Sequence, residues 1–223
     1  MRNLFLLVFI FVAAIEVNGQ NHFIGVKGGP SWTTANGYGN DYKDDFRTKL
    51  TMGFTYDYFF KKHFSIGADL LYDQRGLAYA DFPLTDEDGR DFGQKMLTMR
   101  NYNYISVPLK AGFNYGEKLF GFANICLVPS WLVYAENTFL IANSDGSISA
   151  SRTSSITENA KKFDLGGLLE IGGGYKFGRY WLYSSVSYQH SFINVENYSI
   201  FNNPTLLYGF KLNLGFKYAL KPE

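Results

Sequence analysis

A chain of 223 residues with a formal net charge of +1 gives no electrostatic reason to expect a nucleic-acid partner. Its single cysteine, Cys126, excludes a disulfide framework within the chain, and His22, His63 and His190 are too far apart in sequence for zinc-ligand spacing. Aromatic residues make up 18%, with 17 Tyr, 21 Phe and 23 Gly, which favours strands and turns over helices, and one domain is the simplest organisation at this length.

The chain opens with a segment that reads as a cleaved secretory signal, residues 1–19. Arg2 supplies a basic start, Leu4 to Ile15 an apolar run, and Val17-Asn18-Gly19 the small or tolerated residues ahead of cleavage at Gln20. The run is too short to span a bilayer as a helix. Residues 20–223 are then read as one exported β-barrel domain.

Alternation of apolar and polar residues predicts eight strands in order. The first is Phe23 to Trp32, followed by a polar loop, Thr33 to Arg47. Strand two, Leu50 to Phe60, sets Met52, Phe54, Tyr56 and Tyr58 against Thr51, Gly53, Thr55 and Asp57, and ends at a basic turn, Lys61-Lys62-His63. Strand three, Phe64 to Gln74, opposes Ile66, Ala68, Leu70 and Tyr72 to Ser65, Gly67, Asp69 and Asp73. A second long loop, Gly76 to Arg100, holds Asp86-Glu87-Asp88. Strand four, Tyr102 to Asn114, contains Pro108, which predicts a bulge or broken pairing there. Strand five, Leu119 to about Val133, is apolar on both faces, so its register stays open. A Ser/Thr/Asn-rich loop, Ala135 to Lys161, leads to strand six, Lys162 to Phe177, and a tight Gly178-Arg179 turn to strand seven, Tyr180 to Ser191. After a polar stretch from Phe192 to Pro204 comes strand eight, Thr205 to Leu220, where Tyr208, Phe210, Leu212, Leu214, Phe216 and Tyr218 alternate with Gly209, Lys211, Asn213, Gly215 and Lys217.

Connections thus alternate long and short along the chain, the pattern of an all-β, antiparallel, up-and-down transmembrane barrel of about eight strands with periplasmic ends and four long outer loops. Strand eight also exceeds the roughly 9–11 residues that cross a bilayer. The competing reading is a soluble secreted barrel or sandwich with the aromatic faces turned inward, since inversion leaves the period unchanged. In the membrane reading the polar faces bring Lys27, Lys110 and Lys211 into one lumen with Asp57, Asp69, Asp73, Asp164 and Glu170. Charges enclosed there must pair or stay hydrated, and about eight strands leave no wide pore.

Several segments resemble one known family. Gly25-Val26-Lys27-Gly28-Gly29 looks like the first strand of the PorT-like outer-membrane β-barrels of Bacteroidetes. Leu70-Leu71-Tyr72-Asp73-Gln74-Arg75-Gly76 resembles its third strand running into a basic-Gly turn, and Tyr104-Ile105-Ser106-Val107-Pro108-Leu109-Lys110 its aromatic-apolar-x-apolar-Pro-Leu strand. Asp164-Leu165-Gly166 and Gly172-Gly173-Gly174 are similar to its Gly-rich sixth strand. The resemblance implies a Gram-negative outer-membrane location and, through PorT itself, protein secretion by the type IX system. It carries over no catalytic motif. The chain departs from the common terminal aromatic: Leu220-Lys221-Pro222-Glu223 follows Tyr218.

Chemistry has few candidates. His190-Ser191 invites comparison with barrel lipid A deacylases, but neighbours on a strand face opposite sides, so His190 is not placed to activate Ser191. Asp86-Glu87-Asp88 offers oxygen ligands without a calcium-loop spacing. Lys61, Lys62 and His63 fall at the periplasmic rim, within reach of anionic headgroups, and Cys126 reads as a small strand residue. The expected role is therefore non-enzymatic, structural or accessory, without cofactor or metal. Expected partners are outer-membrane lipids and proteins met through outer loops or periplasmic turns. A narrow channel or solute-uptake accessory, and a lipid-modifying barrel enzyme, are the alternatives.

Overall fold

The computed structural model describes residues 22–36, 44–85, 88–197 and 204–220. It contains β1 (His22–Asn36), β2 (Asp44–Lys61), β3 (Phe64–Thr85), β4 (Asp91–Ser106), β5 (Leu109–Tyr115), β6 (Leu119–Asn143), β7 (Ile148–Ser155), β8 (Phe163–Phe177), β9 (Tyr180–Ser191) and β10 (Leu206–Ala219). The expected signal over residues 1–19 lies outside the described residues.

Nine of the ten strands build an eight-position ring, and β7 pairs only with β6. β1 pairs antiparallel with β10 from Phe23↔Ala219 to Asn36↔Leu206, and with β2 from His22↔Tyr58 to Thr33↔Arg47. β2 pairs with β3, and β6 with β8, β8 with β9 and β9 with β10, so the sheet closes on itself. The position between β3 and β6 is shared: β5 fills it toward the short turns and β4 toward the long loops. Predicted strand four is thus two strands, divided at Pro108. Proline has no N–H for the ladder, and the break is bridged by the Asp69 N–H to the Pro108 carbonyl (3.0 Å) and the Val107 N–H to the Pro129 carbonyl (2.9 Å).

The second difference concerns the predicted loops. β3 runs on to Thr85, β4 starts at Asp91, β6 reaches Asn143, and β7 folds back on β6 from Glu136↔Ser155 to Ala142↔Ile148. Stretches read as loops over Gly76–Arg100 and Ala135–Lys161 are therefore largely strand. All eight residues of β7 are exposed. A sheet with water on both sides needs no apolar–polar alternation, so the period-two signal fades where the strands do not. Gly76 makes no turn either, and β3 passes straight through it.

The barrel is inside-out relative to a water-soluble protein. Phe54, Ile171 and Leu214 each expose 66% of their surface outward, amid Ile24, Val26, Ile66, Leu70, Ile125, Leu169, Leu182 and Val186. An apolar belt that closes around the whole molecule belongs in lipid rather than water. Rings of aromatics border it. Near the short turns Phe64 meets Phe113 (5.4 Å between ring centres) and Tyr180 meets Phe216 (5.6 Å). Toward the long loops Tyr188 meets Phe210 (5.1 Å) and Trp131 meets Phe163 (5.7 Å). From Tyr180 to Tyr188 along a tilted strand is about 20 Å, close to the height of a barrel's lipid-facing band.

Two apolar plates close the lumen. At the short-turn end Phe23, Phe59, Phe120, Phe122, Trp181 and Tyr183 cluster, with the Phe23 and Trp181 rings 4.4 Å apart. Inward Phe120 and Phe122 explain why β6 reads as apolar on both faces. At the other end Leu77, Tyr102, Tyr104, Leu132 and Leu207 pack beneath Ala160 and Val195, which descend from two loops. Those loops are pinned by the Lys161 N–H to the Val195 carbonyl (2.9 Å), the Val195 N–H to the Thr205 carbonyl (3.0 Å), and an Arg100–Glu196 ion pair.

Candidate functional site

Between the plates lies a ladder of buried ion pairs, reached by inward positions of six strands. In the lower tier, nearer the short turns, Lys217 from β10 meets Asp57 of β2 at 2.7 Å. Asp57 also takes Lys110 of β5 at 2.8 Å, and Lys110 reaches Asp69 of β3 at 2.6 Å. Asp69 shares its second oxygen with Lys27 of β1 at 2.6 Å, and Lys27 lies 3.3 Å from Glu170 of β8. Glu170 is further held by the Ser185 hydroxyl (2.8 Å) and the Asn124 amide (2.8 Å).

Arg75 is the hub of the upper tier. Its Nε donates to Asp73 at 2.8 Å and its Nη1 to Asp164 at 2.6 Å, while Nη2 donates to the hydroxyls of Ser130 (2.9 Å) and Ser106 (3.2 Å). The guanidinium lies 4.7 Å from the centre of the Tyr104 ring. Lys211 completes the tier at 2.6 Å from Asp73. A planar fork suits this position, since several acceptors converge on it from different walls of the barrel.

The structure brings together all eight residues assigned to the lumen from sequence: Lys27, Asp57, Asp69, Asp73, Lys110, Asp164, Glu170 and Lys211 all lie buried in the two tiers. It adds two. Lys217 sits on the same inward face as Lys211, and Arg75 lies two residues beyond Asp73 on β3, inside the barrel rather than at a turn. The signal for Arg75 was the i, i+2 spacing with Asp73, which puts both on one face. Buried charges now balance, with Lys27, Arg75, Lys110, Lys211 and Lys217 against Asp57, Asp69, Asp73, Asp164 and Glu170. Taking any of these ions out of water costs several kcal/mol, about the scale that near-ideal pairing must offset.

A cavity of about 10 Å³ between Thr33, Arg75, Gln189, Leu207 and Lys211 is the size of one water. His190 and Ser191 face opposite sides. The Ser191 hydroxyl points inward and donates to Asp164 at 2.8 Å, whereas the His190 ring lies outside, stacked on Tyr208 at 6.0 Å. Cys126 is buried inward beside Val128 and Leu168. Among the described residues no group of three or more His, Cys, Asp or Glu could hold a metal ion, and Asp86 and Glu87 lie outside them.

Comparison with known proteins places this architecture. The model for the outer membrane protein beta-barrel domain matches residues 18–197. The chain belongs to that family. It is accordingly an outer-membrane protein. Among solved structures, Neisserial surface protein A is similar at a TM-score of 0.48 and 8% identity, covering 89% of this chain and 97% of that one. Ail, the attachment invasion locus protein of Yersinia pestis, follows at 0.42 and 12%, with 89% and 99% covered. The N-terminal barrel domain of OprF from Pseudomonas aeruginosa gives 0.34 and 13%, with 90% and 100% covered. No curated protein matches the chain.

Proposed function

We propose that this protein is a closed, non-enzymatic outer-membrane anchor that holds a stiff β-extension outside the cell for a protein partner. One observation carries the reading: the lumen is filled by paired charges between two apolar plates, while β3, β4, β6 and β7 continue past the outer aromatic girdle. At about 3.3 Å per residue, Leu132 to Asn143 of β6 adds up to roughly 40 Å of strand beyond Trp131. A filled barrel has little use as a conduit, and a long two-sided sheet above it is surface. The likeness of its strand motifs to PorT-like barrels makes protein export the process to test first, with residues 1–19 as the export signal and 20–223 as the working domain. Against an acyl-hydrolase, the Ser191 hydroxyl is committed to Asp164 and separated from His190 by the barrel wall.

The test is site-specific photocrosslinking in the native outer membrane. A photoreactive residue at Ser151 of β7 is expected to give a discrete protein adduct, and one at lipid-facing Leu169 of β8 to give none. Absence of an adduct from β7, together with one from the barrel wall, would overturn the reading.

A further inference from the structure

We infer that the periplasmic rim is a contact surface for anionic glycerophospholipid headgroups of the inner leaflet. The three short turns carry Lys61 and Lys62 between β2 and β3, Lys118 between β5 and β6, and Arg179 between β8 and β9, all exposed. Glu117 is the one carboxylate in these turns. The opposite end of the molecule mixes signs evenly, with exposed Arg90, Lys95, Arg152 and Lys162 among exposed Asp88, Asp91, Asp145 and Glu158. Positive charge is therefore concentrated at one rim.

Depth identifies the occupant. Each basic turn directly continues a strand whose last outward residues belong to the lower aromatic girdle: Phe60 and Phe64, Tyr115, and Phe177 with Tyr180. Interfacial aromatics mark the headgroup level, so what surrounds these cations is the phosphate layer of the membrane. Three contacts hold two of the turns against the girdle. The His63 ring lies 5.9 Å from Phe113 and 5.6 Å from Tyr115, and Arg179 donates to the Tyr218 hydroxyl at 3.2 Å. A basic side chain near an anionic lipid surface strengthens association about five-fold, and salt screens the effect.

The test uses the full chain folded into phosphatidylcholine vesicles, with spin-labelled phosphatidylglycerol or phosphatidylcholine as tracer. The fraction of each label immobilised at the protein gives their relative association. At low salt phosphatidylglycerol is expected to be favoured several-fold, and the ratio to fall toward one in 1 M salt, where the Debye length is about 3 Å. The K61Q/K62Q/K118Q/R179Q variant should abolish the preference, and K61Q/K62Q, which leaves two of the three turns untouched, should lower it. Equal association of the two lipids at low salt would overturn the proposal. So would a preference that survives in the K61Q/K62Q pair and the four-fold variant alike, because the charge would then serve something other than lipid.

Discussion

Replacing Asp73 by Asn removes one charge from the lumen and almost no volume. Asp73 is fully buried, its Oδ1 2.6 Å from Lys211 and its Oδ2 2.8 Å from Arg75 Nε and 3.3 Å from the Ser106 hydroxyl. Arg75 keeps Asp164 and the hydroxyls of Ser106, Ser130 and Ser191, so Lys211 is the cation left without a carboxylate, and five buried cations would face four anions. Breaking a buried pair from one side costs about 3–5 kcal/mol, and D73N is expected in that range. Lys211→Met should cost less, below about 3 kcal/mol, because Asp73 still holds Arg75. The double variant restores four against four and should be more stable than D73N alone, with a coupling of at least about 1 kcal/mol. Urea titration of the folded protein in vesicles, followed by tryptophan fluorescence, measures all three. A D73N variant within about 0.5 kcal/mol of the parent, or a double variant as costly as the sum of the singles, would refute a paired lumen.

Ser191→Ala removes a buried hydroxyl between Asp164 and Arg75 and should destabilise by about 1–3 kcal/mol, whereas His190→Ala, on the lipid side, should cost less than about 1 kcal/mol. The same unfolding assay separates them, and equal effects would contradict the opposite-face placement. Gly215 lies under the Tyr183 ring, where a Cβ would come 2.2 Å from Tyr183 Cζ. Gly215→Ala should therefore lower stability by about 1–3 kcal/mol through displacement of that ring, and an unchanged urea midpoint would refute the packing. At the outer tip of the β6–β7 hairpin, the Ser147 hydroxyl (2.6 Å) and N–H (2.9 Å) hold the Asp145 carboxyl below the usual carboxylate range. The lowered value means this turn is favoured above the ordinary carboxylate pKa and loses that support as pH falls through the Asp145 midpoint. Ser147→Ala should raise the midpoint seen by carboxyl-carbon NMR, and an unmoved midpoint would contradict the contact.

The lumen was legible because lipid outside forces strict alternation: every second residue of β2, β3, β8 and β10 had to be apolar, and Asp57, Asp69, Asp73, Asp164, Glu170 and Lys211 stood out on the other face. Arg75 escaped because Gly76 beside it mimics a turn. Lys217 was legible as to its face, beside Lys211 on the polar side of the last strand, but not as to its partner, because its pairing with Asp57 joins strands far apart in sequence. The plates were hidden because Phe120, Phe122 and Leu132 point inward and blur the period of β6. The outer extension could not be read at all. Ile148 to Ser155 pairs with β6 in a strand exposed along its whole length, where nothing selects one face over the other.

Planar-bilayer recording of the purified, folded protein tests the central claim most directly. A barrel filled by ten paired charges between two apolar plates should add no stepwise current above the bare membrane, in the parent and in the K61Q/K62Q variant alike. Stable unitary currents from the parent protein would contradict it and return the channel reading to first place.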